Sequence, residues 1–207
     1  MSQFFSIHPD NPQPRLIRRA AEIIRAGGII VYPTDSCYAL GCHIGDKGAM
    51  ERIRTIRDID ARHHFALVCR DLSELATYAR VDNRQFRLLK ATTPGSYVFI
   101  LEATRELPKR LQHPKRRTIG LRIPDHPVVD ALLTELGEPL LSSTLLLPGD
   151  EQPYTDATEI RAKLERQVDL ILDGGSCGIE PTTVVDLTGA APLVTRAGKG
   201  SLTPFGL

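Results

Sequence analysis

Hydrophobic positions along the chain alternate between helical spacing and short uninterrupted apolar runs. Residues 14–26 carry apolar side chains every three or four positions after Pro14, which predicts a helix that ends at the glycine pair 27–28. The consecutive β-formers at 29–31 follow and are typical of a strand buried on both faces. Pro33 ends this strand because it removes a ladder donor. The polar residues 34–36 therefore occupy a loop at a strand end, aimed at a ligand, and Gly41 is expected to release the chain before the next helix.

The same alternation continues to the end of the chain. Further helices are predicted to begin at Asp46, Asp71, Asp82, Pro127 and Asp156. Strands are predicted near residues 65–69, 97–101, 118–123, 140–147, 168–172, 183–187 and 193–195. No clear helix separates the strand at 97–101 from the one at 118–123, which argues against a purely parallel sheet. We predict an α/β fold in which one twisted sheet, with parallel and antiparallel strands, is flanked by helices.

Composition supports a single large domain with a sizeable core, since 42% of the 207 residues are hydrophobic and 25% are charged. Apolar stretches are too short to span a membrane, and the N-terminus does not resemble a secretion signal, so we expect a cytoplasmic protein. The four cysteines form no CxxC pair, which favours reduced thiols over disulfides or zinc. No protein-bound metal is predicted.

The net charge of +1 hides two basic clusters, at residues 52–64 and 105–117. Such clusters are typical either of solvated faces or of surfaces that bind polyphosphate or nucleic acid. Neither cluster contains interleaved aromatic residues, so stacking on single-stranded bases is not indicated. Candidate contacts to an RNA backbone are Arg52, Arg54, Lys109, Arg110, Lys115, Arg116 and Arg117.

Neither a GxxxxGK[ST] loop nor a strand-borne GxGxxG is present, so any nucleotide site is of another kind. A different set of motifs occurs in order: YPTDSCYALG at 32–41, PG at 94–95, GLRIPDHP at 120–127, PLLSST at 139–144, TTVVD at 182–186 and RAG at 196–198. This set resembles the YrdC-like threonylcarbamoyl-AMP synthase family, and within it the YciO branch. The resemblance places the domain at 14–198, with an N-terminal extension at 1–13 and a C-terminal tail at 199–207.

The resemblance implies a YrdC-like fold with a basic concave surface and a reaction that joins L-threonine, bicarbonate and ATP into threonylcarbamoyl-AMP, releasing pyrophosphate. ATP would enter with Mg²⁺, and the product would serve adenosine modification in tRNA. By resemblance, threonine would be bound by Thr34, Arg122, Thr183 and His63. The nucleotide would be bound by Arg57, Ser142, Ser143, Thr144 and Arg196. No catalytic base is assigned. The family's association with double-stranded RNA makes RNA or tRNA binding, with little synthase activity, the alternative function.

The chain departs from the family pattern mainly on the ATP side. Ile59 and Asp60 replace the second cation and the proline of the family's Lys-x-Arg-Pro segment, and Leu146 and Val98 replace an expected Asn and Thr. Each lost charge-assisted contact costs about 1.5–3 kcal/mol, so a weak synthase or a paralogue with a related adenylate is expected. A second reading of the Ser-Ser-Thr run is structural, because such hydroxyls often bond their own backbone.

Overall fold

The computed structural model describes residues 1–60, 65–113 and 115–206. Its helices are α1 (Pro14–Arg25), α2 (Lys47–Arg57), α3 (Leu72–Tyr78), α4 (Asn83–Thr92), α5 (Pro127–Leu136) and α6 (Ala157–Leu164). Its strands are β1 (Gln3–Ser6), β2 (Ile30–Tyr32), β3 (Ala39–His43), β4 (Ala66–Val68), β5 (Tyr97–Glu102), β6 (Thr118–Arg122), β7 (Leu140–Thr144), β8 (Leu170–Asp173), β9 (Thr183–Asp186) and β10 (Leu193–Arg196). Single 3₁₀ turns occur at Lys109–Leu111 and Thr203–Phe205.

The strands of the described ranges form one ten-stranded sheet in the order β1-β8-β2-β3-β7-β4-β6-β5-β9-β10. Parallel pairs join β1 with β8, β2 with β8, β4 with β6 and β5 with β9, while the other neighbours are antiparallel. The predicted mixed α/β sheet is therefore confirmed.

Local sequence signals set most element boundaries. Helix α2 begins where the Asp46 carboxylate accepts a hydrogen bond of 2.8 Å from the N–H of Ala49. Helix α1 is followed by Gly27 at φ +84°, and α5 is followed by Gly137 at φ +74°. Both glycines adopt left-handed backbone conformations that L side chains resist, which explains why the two helices stop there.

Two strands were not predicted from the sequence. Strand β1 is four residues long and lies at the sheet edge, where it pairs with β8. Strand β3 begins three residues after Ser36 and pairs with β2 and β7. The interpretation of Gly41 as a loop residue is wrong, since it lies within β3. A Cβ atom there would approach the Tyr32 ring to 2.8 Å and Leu140 to 2.7 Å, so close packing requires glycine.

Helices cover the two faces of the sheet unequally. On one face, α1 and α5 pack against apolar residues of β2, β7 and β8. The alternation of side chains in β4 and β7 places Ala66 and Ser142 on that same face, whereas Leu67 and Leu141 point into the core on the opposite face. Strands β6, β5 and β9 contribute no residue to the α1–α5 core. This part of the sheet face is left open for a site.

Both ends of the chain pack against the sheet. Strand β1 extends it beyond β8, and the Phe205 ring makes an edge contact with Tyr97 at a centroid distance of 5.8 Å. All four cysteines are free in the structure, and three of them are buried. No helix within the described ranges is both long and apolar enough to cross a membrane.

Candidate functional site

A cavity of about 620 Å³ occupies the open part of the sheet face. Its floor is formed by apolar side chains of β5, β4 and β9, including Val98, Ile100, Ala66 and Val184. Its polar lining contains several of the residues predicted from the sequence, namely Arg57, Arg122, Ser142, Ser143, Thr144 and Arg196. An apolar floor with few convergent polar groups, in a cavity of this size, is typical of a small-molecule site.

Arg122 is the last residue of β6 and one of the most buried cations, with 7% of its side chain exposed. Its Nη2 atom donates to Asp35, whose side chain is 8% exposed, and lies 3.5 Å from the Ser36 hydroxyl. The buried Nε atom has no hydrogen-bond partner among the described residues. Such an unsatisfied donor is costly unless a ligand or water completes it.

The loop after β2 positions Asp35 through its backbone and its carboxylate. Asp35 Oδ2 accepts from the N–H of Asp125 at 3.0 Å. The Asp35 carbonyl accepts from the Lys199 ammonium and, at 3.4 Å, from the Ser96 hydroxyl. The Asp35 carboxylate is thus fixed against Arg122. The sequence shows a carboxylate in this loop, but its pairing with Arg122 could not be predicted because residues 35 and 122 are distant in the chain.

Thr34 does not line the cavity, although it lies next to Asp35. Its hydroxyl donates to the carbonyl of Cys37 at 2.6 Å and accepts from the N–H of Ser36 at 3.2 Å. The side chain is buried and closes the turn in the manner of a Ser/Thr turn. In this structure Thr34 therefore shapes the loop that carries Asp35.

Arg57 ends helix α2 and reaches the C-terminal end of β7. Its Nη1 atom donates to the Ser143 hydroxyl, and its Nε atom donates to the carbonyl of Leu146 at 3.3 Å. Burial lowers the pKa of Arg57, and the nearby charge of Arg196 lowers it further. Arg57 and Arg196 both line the first cavity.

Arg196, at the end of β10, is held by a neighbouring threonine. Its Nη2 atom donates to the Thr182 carbonyl at 2.8 Å and to the Thr182 hydroxyl at 3.0 Å. Burial lowers the pKa of Arg196. Thr182 lines the cavity, whereas the predicted Thr183 is fully buried and is absent from the lining. The Thr183 hydroxyl donates to the Gly200 carbonyl at 2.7 Å and accepts from the N–H of Gly198 at 3.0 Å.

The hydroxyls of Ser142, Ser143 and Thr144 in β7 differ in their hydrogen-bond partners. Ser142 lies 2.6 Å from the Tyr32 hydroxyl, and burial raises the pKa of Tyr32 to about 12. Ser143 accepts from Arg57. Thr144 has no hydrogen-bonded side-chain partner within the described ranges and lines the cavity. Thr144 is thus the hydroxyl of this run most available to a ligand.

Positions that depart from the family pattern also border the cavity. Val98 and Leu146 line it directly, so a hydrocarbon group stands where the family resemblance implies a polar one. The Asp60 carbonyl accepts from Arg54 at 2.6 Å. The predicted threonine ligand His63 lies outside the described residues.

Some of the candidate RNA-contact residues are engaged in contacts within the protein, and others line a second cavity. Arg52 pairs with Asp169 at 3.0 Å, Arg54 stacks on the Phe65 ring at 5.1 Å, and Arg110 donates to the carbonyls of Ile44 and Gly45. Lys109, Arg116 and Arg117 instead line a second cavity of about 810 Å³, and Lys115 is exposed nearby in sequence. Three of the seven residues are engaged in contacts within the protein, and binding of RNA by the set stays a prediction.

Within the described residues, no group of three or more His, Cys, Asp or Glu side chains is arranged to hold a metal ion. Glu151 is the carboxylate among the residues that line the first cavity. Mg²⁺ commonly enters such sites with substrate phosphates and only one or two protein carboxylates.

The mixed sheet and a cavity whose lining includes Arg57, Arg122 and Arg196 define an α/β protein with a candidate small-molecule site. A family model named Sua5_yciO_yrdC and described as "Telomere recombination" matches residues 22–198. The chain belongs to this Sua5/YciO/YrdC family, which confirms the resemblance drawn from the motifs.

Two relatives cover most of the chain. The uncharacterized protein YciO of Escherichia coli strain K12 is 60% identical over 205 residues, which are 99% of this chain and 100% of that protein. The crystal structure of E. coli YciO gives a TM-score of 0.96. A threonylcarbamoyl-AMP synthase of Nitrosococcus oceani is 32% identical over 159 residues, which are 76% of this chain and 85% of the synthase.

A structure of P. abyssi Sua5 complexed with L-threonine is 24% identical and gives a TM-score of 0.87. The match covers 95% of this chain and 58% of the Sua5 chain. At this identity the likeness concerns the fold, and it supports the assignment of the sheet to the YrdC-like class.

Proposed function

We propose that this protein is a threonylcarbamoyl-AMP synthase with a weakened ATP side, joining L-threonine, bicarbonate and ATP and releasing pyrophosphate. The observation that carries the proposal is the convergence of Arg57, Arg122 and Arg196 on one cavity with an apolar floor. Synthase relatives at 28% and 32% identity place this chemistry within the family. The product is the precursor that the family supplies for adenosine modification in tRNA.

The two ends of the cavity suit the two organic substrates. Arg122 offers the unsatisfied Nε–H and a guanidinium fixed by Asp35, which together suit the carboxylate of an amino acid. Arg57 and Arg196 suit the phosphates of a nucleotide, and Thr144 adds a free hydroxyl. The floor at Val98, Ile100 and Val184 offers a flat apolar surface for a base.

Catalysis in this arrangement rests on positioning and on charge. The threonine amine attacks the carbon of bicarbonate, and a C–O bond breaks with loss of water to leave a carbamate. A carbamate oxygen then attacks the α-phosphorus of ATP while pyrophosphate leaves. Cations beside the phosphates stabilise the charge that develops on the leaving group, and holding the reactants together lowers the entropic cost. Replacement of polar groups by Val98 and Leu146 removes hydrogen bonds on the nucleotide side, which explains why we expect low activity.

The proposal is tested by incubating the full chain with ATP, Mg²⁺, bicarbonate and L-threonine and measuring threonylcarbamoyl-AMP by mass spectrometry. We expect product above a no-enzyme background, and loss of most of it in Arg122→Ala. The matched control is Arg15→Ala, which removes an exposed arginine of α1. Absence of product from the unmodified chain would refute the activity, and full activity of Arg122→Ala would refute the assignment of Arg122.

Calorimetry with each substrate alone separates the two halves of the site. We expect L-threonine to bind in the absence of ATP, and ATP to bind more weakly than in relatives that keep the polar pattern. Binding of neither substrate would show that the cavity serves another ligand.

A further inference from the structure

A second cavity lies beyond the N-terminal end of β6 and has a different character from the first. Three chain segments build it: Arg80 after α3, residues 102–105 at the end of β5, and five residues that precede β6, namely Lys109, Gln112, His113, Arg116 and Arg117. His113 and Arg116 line both cavities, so the two are adjacent. Arg122 lies four residues after Thr118 along β6, which is about 13 Å at the usual rise of a strand. The second cavity is therefore distinct from the Arg122 end of the candidate active site.

The lining of this cavity is strongly cationic. Five positively charged side chains face one carboxylate, that of Glu102; the five are Arg80, Arg105, Lys109, Arg116 and Arg117. Arg116 lies 3.9 Å from Asp186, and the other four form no ion pair within the described residues. All five residues are exposed, so water and salt screen their mutual repulsion, and an anion in the cavity would be attracted by several cations at once.

The backbone holds two of these cations in place. The imidazole Nδ1 of His113 accepts from the N–H groups of Lys115 and Arg116, at 3.2 and 3.1 Å. Arg117 has φ +55°, a left-handed conformation that is unfavourable for a residue with a side chain. Its N–H donates to the His113 carbonyl, and its carbonyl accepts from the N–H of Ala103. Conformations of this kind persist where the surroundings enforce them, commonly at ligand sites.

We propose that this cavity binds a compact polyphosphate, such as pyrophosphate or tripolyphosphate. Its volume of about 810 Å³ suits a small molecule, and its cations converge on one hollow rather than forming a row. No Phe, Tyr or Trp lines it, so it lacks a surface on which a base would stack. The phosphate groups are therefore the part of the ligand that it recognises. This site does not depend on the function proposed for the first cavity.

The test is calorimetric titration of the full chain with pyrophosphate and with tripolyphosphate at low salt. We expect binding that weakens as salt rises, and that falls by about tenfold or more in Arg80→Gln/Arg117→Gln, because each substitution removes a charge-assisted contact. The matched control is Arg15→Gln/Arg18→Gln, which removes two exposed arginines of α1. All four positions are exposed, and equal melting temperatures would verify that both variants remain folded.

Two further titrations test which cavity binds pyrophosphate and whether the ligand is a small polyphosphate or the backbone of a nucleic acid. Because the first cavity is itself proposed to hold phosphates, pyrophosphate is also titrated into Arg57→Gln, and we expect a binding event that survives Arg57→Gln and is weakened in Arg80→Gln/Arg117→Gln. Loss of all pyrophosphate binding in Arg57→Gln, with no effect of Arg80→Gln/Arg117→Gln, would overturn the proposal. A titration with a short RNA duplex tests the macromolecular source. Binding of duplex without binding of pyrophosphate, or binding of neither, would also overturn it.

Discussion

Arg122 and Arg196, at the two ends of the first cavity, differ in whether a carboxylate balances their charge. Arg122 is buried and faces the carboxylate of Asp35, itself fixed by the N–H of Asp125. Arg196 is more exposed, and its guanidinium bonds only to neutral oxygens of Thr182 within the described residues. The ion pair with Asp35 holds the Arg122 guanidinium in one orientation, which suits the binding of a single carboxylate. The arrangement at Arg196 leaves a full positive charge, which suits a multiply charged phosphate chain.

This difference predicts how each end of the cavity responds to mutation. The Arg122 end depends on one buried ion pair, whose loss leaves an uncompensated charge. The Arg196 end shares its region with Arg57 and with the apolar replacements Val98 and Leu146. We therefore expect mutations at the first end to act on stability and on threonine binding, and mutations at the second to act on nucleotide binding.

The largest expected effect is on stability. Asp35→Ala should lower the free energy of unfolding by about 3–5 kcal/mol, because it leaves the buried Arg122 guanidinium unpaired. Urea denaturation measures the change. The control is Glu22→Ala, which breaks the exposed pair with Arg19 and should cost less than about 1 kcal/mol. Equal effects of the two substitutions would show that burial does not distinguish the pairs.

A double variant separates the loss of the pair from the cost of the orphaned charge. Asp35→Ala/Arg122→Met should regain much of the stability lost in Asp35→Ala, since an apolar side chain needs no partner there. If the double variant were no more stable than Asp35→Ala, the unpaired guanidinium would not be the cause.

The next effect is on nucleotide affinity. Arg196→Gln should weaken ATP binding by about tenfold or more, since a hydrogen bond from a charged group contributes about 1.5–3 kcal/mol, and should leave L-threonine affinity nearly unchanged. Calorimetry with each substrate measures both. Arg122→Gln provides the reciprocal variant, for which threonine affinity should fall most. Equal losses for both substrates in both variants would contradict the division of the cavity.

The smallest expected effect is a gain in ATP affinity. Val98→Thr returns a hydroxyl to the cavity floor and should strengthen ATP binding by about 2- to 10-fold, the value of one neutral hydrogen bond of about 0.5–1.5 kcal/mol. Ile100→Thr is the matched control, because it adds the same hydroxyl two residues further along the same face of β5. A gain of equal size at both positions would indicate that general polarity, and not the family pattern, sets the affinity.

Much of the fold follows from local signals that the sequence displays. Asp46, Gly27 and Gly137 mark helix boundaries through capping and left-handed backbone, and the apolar run before Pro33 marks a buried strand. Strand β3 was not predicted because its apolar residues follow directly after a polar loop and include Gly41, and a glycine usually indicates a turn. Only the packing of Tyr32 and Leu140 against Gly41 shows that the glycine serves a close approach.

The candidate site was predicted in part, and its omissions have one physical cause. Motifs identified Arg57, Arg122 and Arg196 together with the hydroxyls of β7, and these residues meet in one cavity. The motifs could not show that Thr34 closes its own turn or that Thr183 binds the backbone near Gly200. Successive residues of an extended segment point in opposite directions, so Thr182 lines the cavity while the side chain of Thr183 is buried. In the loop after β2, Asp35 reaches Arg122 while the Thr34 hydroxyl bonds within its own turn.

The sequence by itself determined the family, the alternation of helices and strands, and the residue types available for chemistry, because these depend on local periodicity and on ordered motifs. The tertiary structure alone decided which charges meet. Asp35 and Arg122 form one ion pair across 87 residues, and cations from three segments converge on the second cavity. Such encounters depend on strand order and on the helix-free part of one sheet face, and no local pattern encodes them.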